Sequence, residues 1–503
     1  MKFISKLLLL LSLLAVLSCG DDNGGGASPE AASLQLSVPA SGAKDVATST
    51  KTIDLTFSQE VNFVSGKEAD FSGTKCGMTA FSKSQNVMTF TIPVTLKRGQ
   101  TYTLSVPDGF FKTKQGGADI PAFSVTFSTP DAPTPGSVAE NLVTESPLPA
   151  AKAVYDYLRE TYGRKTISSS IANVNWNLRE AEMVHDATGK YPAIATADYL
   201  HFYTLYDDAA RNPFKGSWKV NYDDISEFRQ WWDDGGIVSA CWHWNVPNKE
   251  AEKYVNGSYT CTPGDGKIVY KKNEKGEEKP ESATTVFRPK NIFVEGSWEQ
   301  KIADEDLALV ASLLKKFQEA GVPVIWRPLH EASGNAVSGG DAWFWWGIDG
   351  AEVYVKLWRK MFDYFKSQGL NNLIWVWTTQ TGYGYDKSKG VLDDADWYPG
   401  DQYVDIIGRD EYTLTASQSA EEFSTICATF PGKIVTLSEC GGVAKLSDQI
   451  AEGSMWSWAM PWYDDAADKA GSLKNHGHAN TEWWTDAMNC ENVVTRDQLP
   501  SFK

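Results

Sequence analysis

The chain has 503 residues, enough for two or three domains with ample core, and a formal net charge of −17 at neutral pH. That acidity excludes nucleic acid as a partner, because binding it needs basic patches, and is compatible with a neutral polymer. Seven cysteines without a C-x-x-C pair exclude a zinc-ribbon or thioredoxin-like reading.

Lys2 and Lys6 flank the start of an apolar stretch, Leu7 to Leu17. It is too short to span a bilayer and reads as the core of a secretory leader. It runs into Leu17-Ser18-Cys19-Gly20, which resembles a bacterial lipobox. The resemblance implies cleavage before Cys19 and a lipid on its sulfur; the alternative is plain leader cleavage with Cys19 lost. Residues 1–18 are assigned to the lipoprotein signal peptide and 19–33 to a flexible tether containing Asp21, Asp22 and Asn23-Gly24-Gly25-Gly26. Acidic residues just behind the cysteine resemble a surface-export pattern of lipoproteins, so the expected address is the outer membrane, facing outward. The lipid on Cys19 is the one membrane attachment expected of a chain otherwise read as a soluble monomer.

Residues 34–129 read as short alternating strands, for example Thr52-Ile53-Asp54-Leu55-Thr56-Phe57 and Phe123-Ser124-Val125-Thr126-Phe127. Gly, Asp, Ser and Asn clusters separate them, as in a β-sandwich. The stretch Val38-Pro39-Ala40-Ser41-Gly42-Ala43 followed by Ile53-Asp54-Leu55-Thr56-Phe57-Ser58 resembles a bacterial Ig-like module. Without a tryptophan to serve as a sugar platform, the module reads as a spacer in preference to a binding domain. Residues 130–137, beginning Pro130-Asp131-Ala132-Pro133-Thr134-Pro135-Gly136, form a stiff linker.

All twenty tryptophans lie beyond the linker, in residues 138–503. This part shows eight apolar, β-prone runs: Lys165–Ala172, Tyr191–Asp198, Gly236–His243, Val322–Glu331, Leu373–Thr378, Val404–Tyr412, Lys433–Glu439 and Met455–Trp462. Helical faces fall between several of them, at Asp304–Ala320 and at Tyr354–Gln368 with a stop at Gly369. The alternation predicts an α/β fold, a (β/α)8 TIM barrel, behind the small all-β domain. Pro247 to Pro289, after the third run, is too long for a simple connection. Its Lys271–Glu281 portion reads as a solvated loop that either walls the cleft or is irrelevant to it.

Glu331 closes the fourth run and Glu439 the seventh. Barrels keep their chemistry at strand ends, and the fourth and seventh strands lie nearly opposite, so the two carboxyls can converge. Two carboxyls are the minimum equipment for cleaving a glycosidic bond. Either one alone would pass for an ordinary strand-end charge. His330 sits beside Glu331, and both can enter one site only if the pleat is broken there. His-Glu-x-x-His fails because Gly334 occupies the second His position, so no metal and no cofactor is expected. Trp343-Phe344-Trp345-Trp346, Trp242-His243-Trp244, Trp456-Ser457-Trp458 and Trp462-Tyr463 crowd the ends of several runs, where flat rings can pack against sugars.

Trp326-Arg327-Pro328-Leu329-His330-Glu331, then Trp343-Phe344-Trp345-Trp346-Gly347, Gly408-Arg409-Asp410-Glu411-Tyr412 and Ser438-Glu439-Cys440-Gly441 together resemble glycoside hydrolase family 26, most of whose members are endo-β-1,4-mannanases. Asp198-Tyr199-Leu200-His201 and Trp242-His243-Trp244-Asn245 add to the likeness, which covers about residues 140 to 500. It implies Glu331 as acid/base and Glu439 as nucleophile of a retaining reaction on mannan, galactomannan or glucomannan. It further implies that His330 and Tyr412 line the catalytic subsite, Tyr412 bonded to the nucleophile. His243 and Trp346 would touch sugar beside the cleavage point. Trp456 would form a stacking floor, a place Trp458 fills equally well. The segment Ala332 to Gly340 is longer than the family pattern. Readings that stay open are the same mechanism on β-1,3-1,4-glucan or β-1,3-xylan, and a non-catalytic glycan-binding lipoprotein.

Overall fold

The computed structural model describes residues 32–503 apart from 47–49, 95, 98, 130, 132–137, 173–175, 209–210, 213–218, 251–258, 274, 277, 381–393 and 465–471. The leader at 1–18, Cys19 with its lipid, nearly all of the tether and all of the linker but Asp131 therefore lie outside the described residues. The chain divides into two compact units, one carrying the N-terminal strands and the other the rest.

The first unit is all β. One sheet orders its strands Leu34–Val38, Thr52–Phe57, Val87–Thr91, Met78–Phe81; a second orders Phe123–Ser128, Thr101–Val106, Ala69–Phe71, Thr74–Cys76. Alternation explains which face is buried: Ile53, Leu55 and Phe57 point inward, as do Tyr102, Leu104 and Val106. Phe57, Phe90 and Phe110 pack edge-on around Phe111, at ring separations of 4.8–6.3 Å.

The second unit is a closed parallel barrel. Its strands are β1 (Thr166–Ile171), β2 (Ile194–Asp198), β3 (Ile237–Trp242), β4 (Val324–Pro328), β5 (Leu373–Thr379), β6 (Ile406–Tyr412), β7 (Ile434–Gly441) and β8 (Trp458–Pro461). Each pairs in parallel with the next, and β1 pairs with both β2 and β8, which closes the ring. All eight predicted runs became barrel strands. Nearly every residue in them is buried, because helices cover the outside while side chains fill the inside. The helices are α1 (Pro149–Thr161), α2 (Arg179–Thr188), α3 (Ser226–Asp233), α4 (Trp298–Glu319), α5 (Ala351–Ser367), α6 (Ala416–Thr429), α7 (Leu446–Glu452) and α8 (Thr481–Asn489).

Two sequence expectations need correction. Helix α4 starts six residues before the predicted Asp304, because Ser297 caps it by accepting from the Gln300 N–H at 3.0 Å. The Lys271–Glu281 portion is an exposed β-hairpin, Ile268–Lys272 with Glu278–Ala283, instead of a loop. Its strand-forming Ile-Val-Tyr precedes a tight turn in which Gly276, at φ +77°, donates to the Asn273 carbonyl at 2.8 Å. Cys76, Cys241, Cys261, Cys440 and Cys490 carry free thiols. No helix among the described residues is long and apolar enough to cross a membrane.

Candidate active site

β4 stops at Pro328, and the next three residues leave the pleat. Leu329 and Glu331 adopt φ of +48° and +52°, a left-handed conformation uncommon for residues with a Cβ. This break frees His330 and Glu331 from the opposite-face rule of a strand. The surroundings hold it in place. Tyr354 donates its hydroxyl to the Leu329 carbonyl at 3.1 Å, Trp346 its indole N–H to the His330 carbonyl at 2.9 Å, and the Gly334 amide donates to the Glu331 carbonyl at 2.9 Å. Gly334 must be glycine for space: a Cβ there would come within 2.1 Å of the Trp343 indole.

Glu439 arrives by a different irregularity. Along β6 and β7, Arg409 pairs with Leu437 but Asp410 pairs with Glu439, so Ser438 is an extra residue bulged out of register. The Ser438 hydroxyl secures the bulge by donating to Asp410 Oδ1 at 2.8 Å. Glu439 thereby lies level with Asp410, and carboxylate oxygens of Glu331, Asp410 and Glu439 all fall within 4.8 Å of one another. Arg327, buried on β4, joins them: one Nη hydrogen bonds to Asp410, the other lies 3.1 Å from Glu439 Oε2, and Nε donates to Thr378 Oγ1 at 3.2 Å. Tyr412 donates its hydroxyl to Glu439 Oε1 at 2.5 Å.

Three carboxyls around one guanidinium cannot all be ionised in a buried site. Burial, then the charges of Asp410 and Glu439, push the Glu331 carboxyl well above its ordinary range. Glu439 is raised too, by burial and by Asp410, but Arg327, the Tyr412 hydrogen bond and His243 pull the other way. Glu331 is thus the better placed of the two to hold a proton, and Glu439 to carry the charge. Oxygens within 4.8 Å place the two carboxyls nearer the about 5–5.5 Å separation that direct attack by a carboxylate needs than the about 6.5–9.5 Å that an interposed water needs.

His243, just past β3, places Nδ1 2.9 Å from Asp198 Oδ2 and Nε2 3.1 Å from His330 Nε2. Burial tends to lower the His243 pKa, but Asp198 and, behind it, Glu439 together outweigh it and the group is raised. His330 is held well below the usual histidine range by burial and then by the Arg327 and His243 charges. Phe344 stacks on Trp346 at 4.4 Å and sets its edge against both histidines, while Trp462 lies 5.4 Å from His243.

The structure thus brings Glu331, Glu439, His243, His330 and Tyr412 together but corrects the expectations for Trp346 and Trp456. His330 is only 1% exposed and lies against His243. Trp346 is fully buried, so it backs the Phe344 ring from behind and offers no accessible surface of its own. Trp456 is no stacking floor: it is fully buried, packs on Phe423 of α6 and donates its N–H to Gln449 Oε1 at 3.1 Å. Trp458 is buried as well. Trp343, Phe344, Tyr412 and Trp462 keep accessible surface here. Arg327, Asp410 and Asp198 were not predicted as site residues, although a charge inside an otherwise buried strand was a readable signal. Among the described residues two triads, Glu331–Asp410–Glu439 and Asp198–Cys241–His243, are close enough to share a cation, and the Arg327 guanidinium already lies against the first.

A model of glycosyl hydrolase family 26 matches residues 143–485, and a bacterial Ig-like domain model matches residues 29–129. Among curated relatives, mannan endo-1,4-β-mannosidase B of Piromyces sp is 28% identical over 370 residues, covering 72% of this chain and 54% of the relative. A mannan endo-1,4-β-mannosidase of Thermothelomyces thermophilus is 29% identical over 350 residues, covering 68% and 61%. The chain thus spans between half and two thirds of these relatives' length. Among solved structures, the family 26 domain of an endo-β-mannanase/endo-β-glucanase from Prevotella bryantii is 40% identical with a TM-score of 0.60, covering 72% of this chain and 99% of that one.

Proposed function

The chain belongs to glycosyl hydrolase family 26, and from that premise we propose that it is a retaining endo-β-1,4-mannanase acting on mannan, galactomannan or glucomannan. Glu439 attacks the anomeric carbon while Glu331 gives its proton to the departing sugar oxygen, leaving a glycosyl ester on Glu439. Esterification removes the Glu439 charge, which is one of the charges that raised Glu331. Glu331 is then a stronger acid than before, has lost its proton, and serves as the base that activates water. Water attacks the same carbon from the side the leaving sugar vacated, and Glu439 is released as carboxylate. Arg327 and Tyr412 steady the Glu439 charge at both ends of the cycle.

The observation that carries this reading is a pair of buried carboxyls from opposite walls of the barrel, Glu331 and Glu439, with oxygens within 4.8 Å of each other. Reducing-end release from galactomannan, mixed-linkage β-glucan and β-1,3-xylan tests the substrate, and Glu439→Ala tests the mechanism. Galactomannan alone should be cleaved, to products of β configuration when first formed; wild-type turnover by Glu439→Ala would remove the assigned nucleophile.

The sequence before residue 138 supports further parts of the proposal. Residues 1–18 are removed, the lipid on Cys19 anchors a monomeric enzyme in the outer membrane facing outward, and the 34–129 module with the 130–137 linker spaces the catalytic domain from that surface. Radiolabelled palmitate appearing in the wild type and missing from Cys19→Ser checks the anchor.

A further inference from the structure

Asp198 ends β2 and takes part in no step above. Both of its oxygens are committed to one residue: Oδ2 lies 2.9 Å from His243 Nδ1, and Oδ1 accepts the His243 backbone N–H at 3.2 Å. Asp198 is 6% exposed, so its charge needs a partner in place. On the other side of the ring, His243 Nε2 lies 3.1 Å from His330 Nε2. Two imidazole nitrogens at that distance need one proton between them.

Burial, and then the Arg327 guanidinium, holds His330 well below the ordinary histidine range, so it is the neutral ring of the pair. A neutral ring accepts at Nε2 when its own proton is on Nδ1. Either ring could supply the proton between them, but the buried Asp198 carboxylate at Nδ1 calls for a counter-charge, and it is met when His243 donates from both nitrogens, to Asp198 and to His330, as an imidazolium. The same arrangement leaves His330 Nδ1–H as a buried donor without a protein acceptor among the described residues, a place for an ordered water. The groups facing His243 are Asp198 from β2, His201 beyond it, Cys241 earlier on β3, Arg327 and His330 from β4 and its end, and Glu439 from β7. Asp198 is the anion that touches its ring. The His243 charge in turn favours the ionised form of Glu439.

We propose that Asp198 is a positioning residue: it holds His243 as an imidazolium, and that cation, with Arg327, keeps the nucleophile Glu439 ionised. The inference rests on the assignment of Glu439 as nucleophile.

Inactivation by a 2-deoxy-2-fluoro mannobiosyl fluoride, followed across the acid and neutral range, reads attack by the nucleophile without calling on the acid. Wild type should be labelled on Glu439, with an acid limb marking its ionisation. In Asp198→Asn the limb should move up by about one pH unit or more, making inactivation roughly tenfold slower below it. Asp198→Glu should restore much of the difference. Nitrogen-15 shifts of His243 in histidine-labelled protein should show both ring nitrogens protonated in the wild type at neutral pH. A uniform loss of rate with an unmoved limb, or a neutral His243 in the wild type, overturns the proposal; the second readout stands even if Asp198→Asn does not fold. Label on a residue other than Glu439 is a distinct failure, of the nucleophile assignment itself.

Discussion

Replacing Tyr412 with phenylalanine removes one hydroxyl and leaves the ring. The phenol is pushed far above its ordinary value by burial and by the Glu439 charge, so it remains an O–H donor at every working pH. Its bond to Glu439 Oε1, at 2.5 Å, has an ionised acceptor. Such bonds contribute about 1.5–3 kcal/mol, and the 40% exposure of Tyr412 argues for the lower half, about 1.5–2 kcal/mol. Loss of that much stabilisation of the carboxylate raises the Glu439 pKa by about 1–1.5 units. Glu439 must be ionised to attack, so the acid limb of kcat/KM moves upward and the variant loses roughly tenfold or more below the limb. The fold should not notice, since the ring keeps its edge contact with His478 at 5.7 Å. Steady-state hydrolysis of a mannan oligosaccharide over a pH series, with thermal melts at each pH, measures both. An acid limb that stays where it was would refute the claim that this phenol sets the charge state of Glu439.

Glu331→Ala should slow polysaccharide cleavage by about 10²–10⁴-fold, yet an aryl glycoside whose leaving group needs no proton should give a burst of released phenol; lack of a burst would show that Glu331 is not the acid. Trp456→Ala should destabilise the protein by about 3–5 kcal/mol with KM for short oligosaccharides unchanged, because the ring is core. Near-wild-type stability with a raised KM in that variant would restore the stacking floor. Glu180 is buried beside Asp464, and burial followed by that charge pushes its pKa up to about 7. A carboxyl raised from about 4.5 stabilises the fold below its ordinary value and loses that contribution as pH rises toward 7, by up to about 3 kcal/mol. Glu180→Gln should therefore gain on the wild type between pH 5 and pH 8 in urea unfolding; a constant difference between the two would contradict the shift.

The barrel was legible because strands buried on both faces read as continuous apolar runs, and all eight did. Helix α4 was misplaced at its start because its first turn presents Trp298, Glu299 and Gln300 before the apolar face becomes regular, and the Ser297 cap was passed over. Tryptophans near strand ends could not be divided between pocket and core by sequence, since both environments favour a large flat ring. Trp456 and Trp346 went to the core, while Trp462 and Phe344 kept surface. The bulge at Ser438 was invisible for another reason: it depends on the register of β7 against β6, which neither strand states alone. Arg327 and Asp410 stood inside quoted motifs, and their charge within buried strands was the signal to follow.

The left-handed backbone at Leu329 and Glu331 separates two directions in which this protein can change. Residues with a Cβ held in such a conformation cost on the order of 1–3 kcal/mol each. Glycine or asparagine at 331 would relax that cost, and either one deletes the proposed acid. A library selected only for heat resistance will therefore be drawn to position 331 and return well-folded, inactive proteins. Anyone seeking a hardier form of this enzyme should hold 329 and 331 constant and look for stability in the helices outside the barrel.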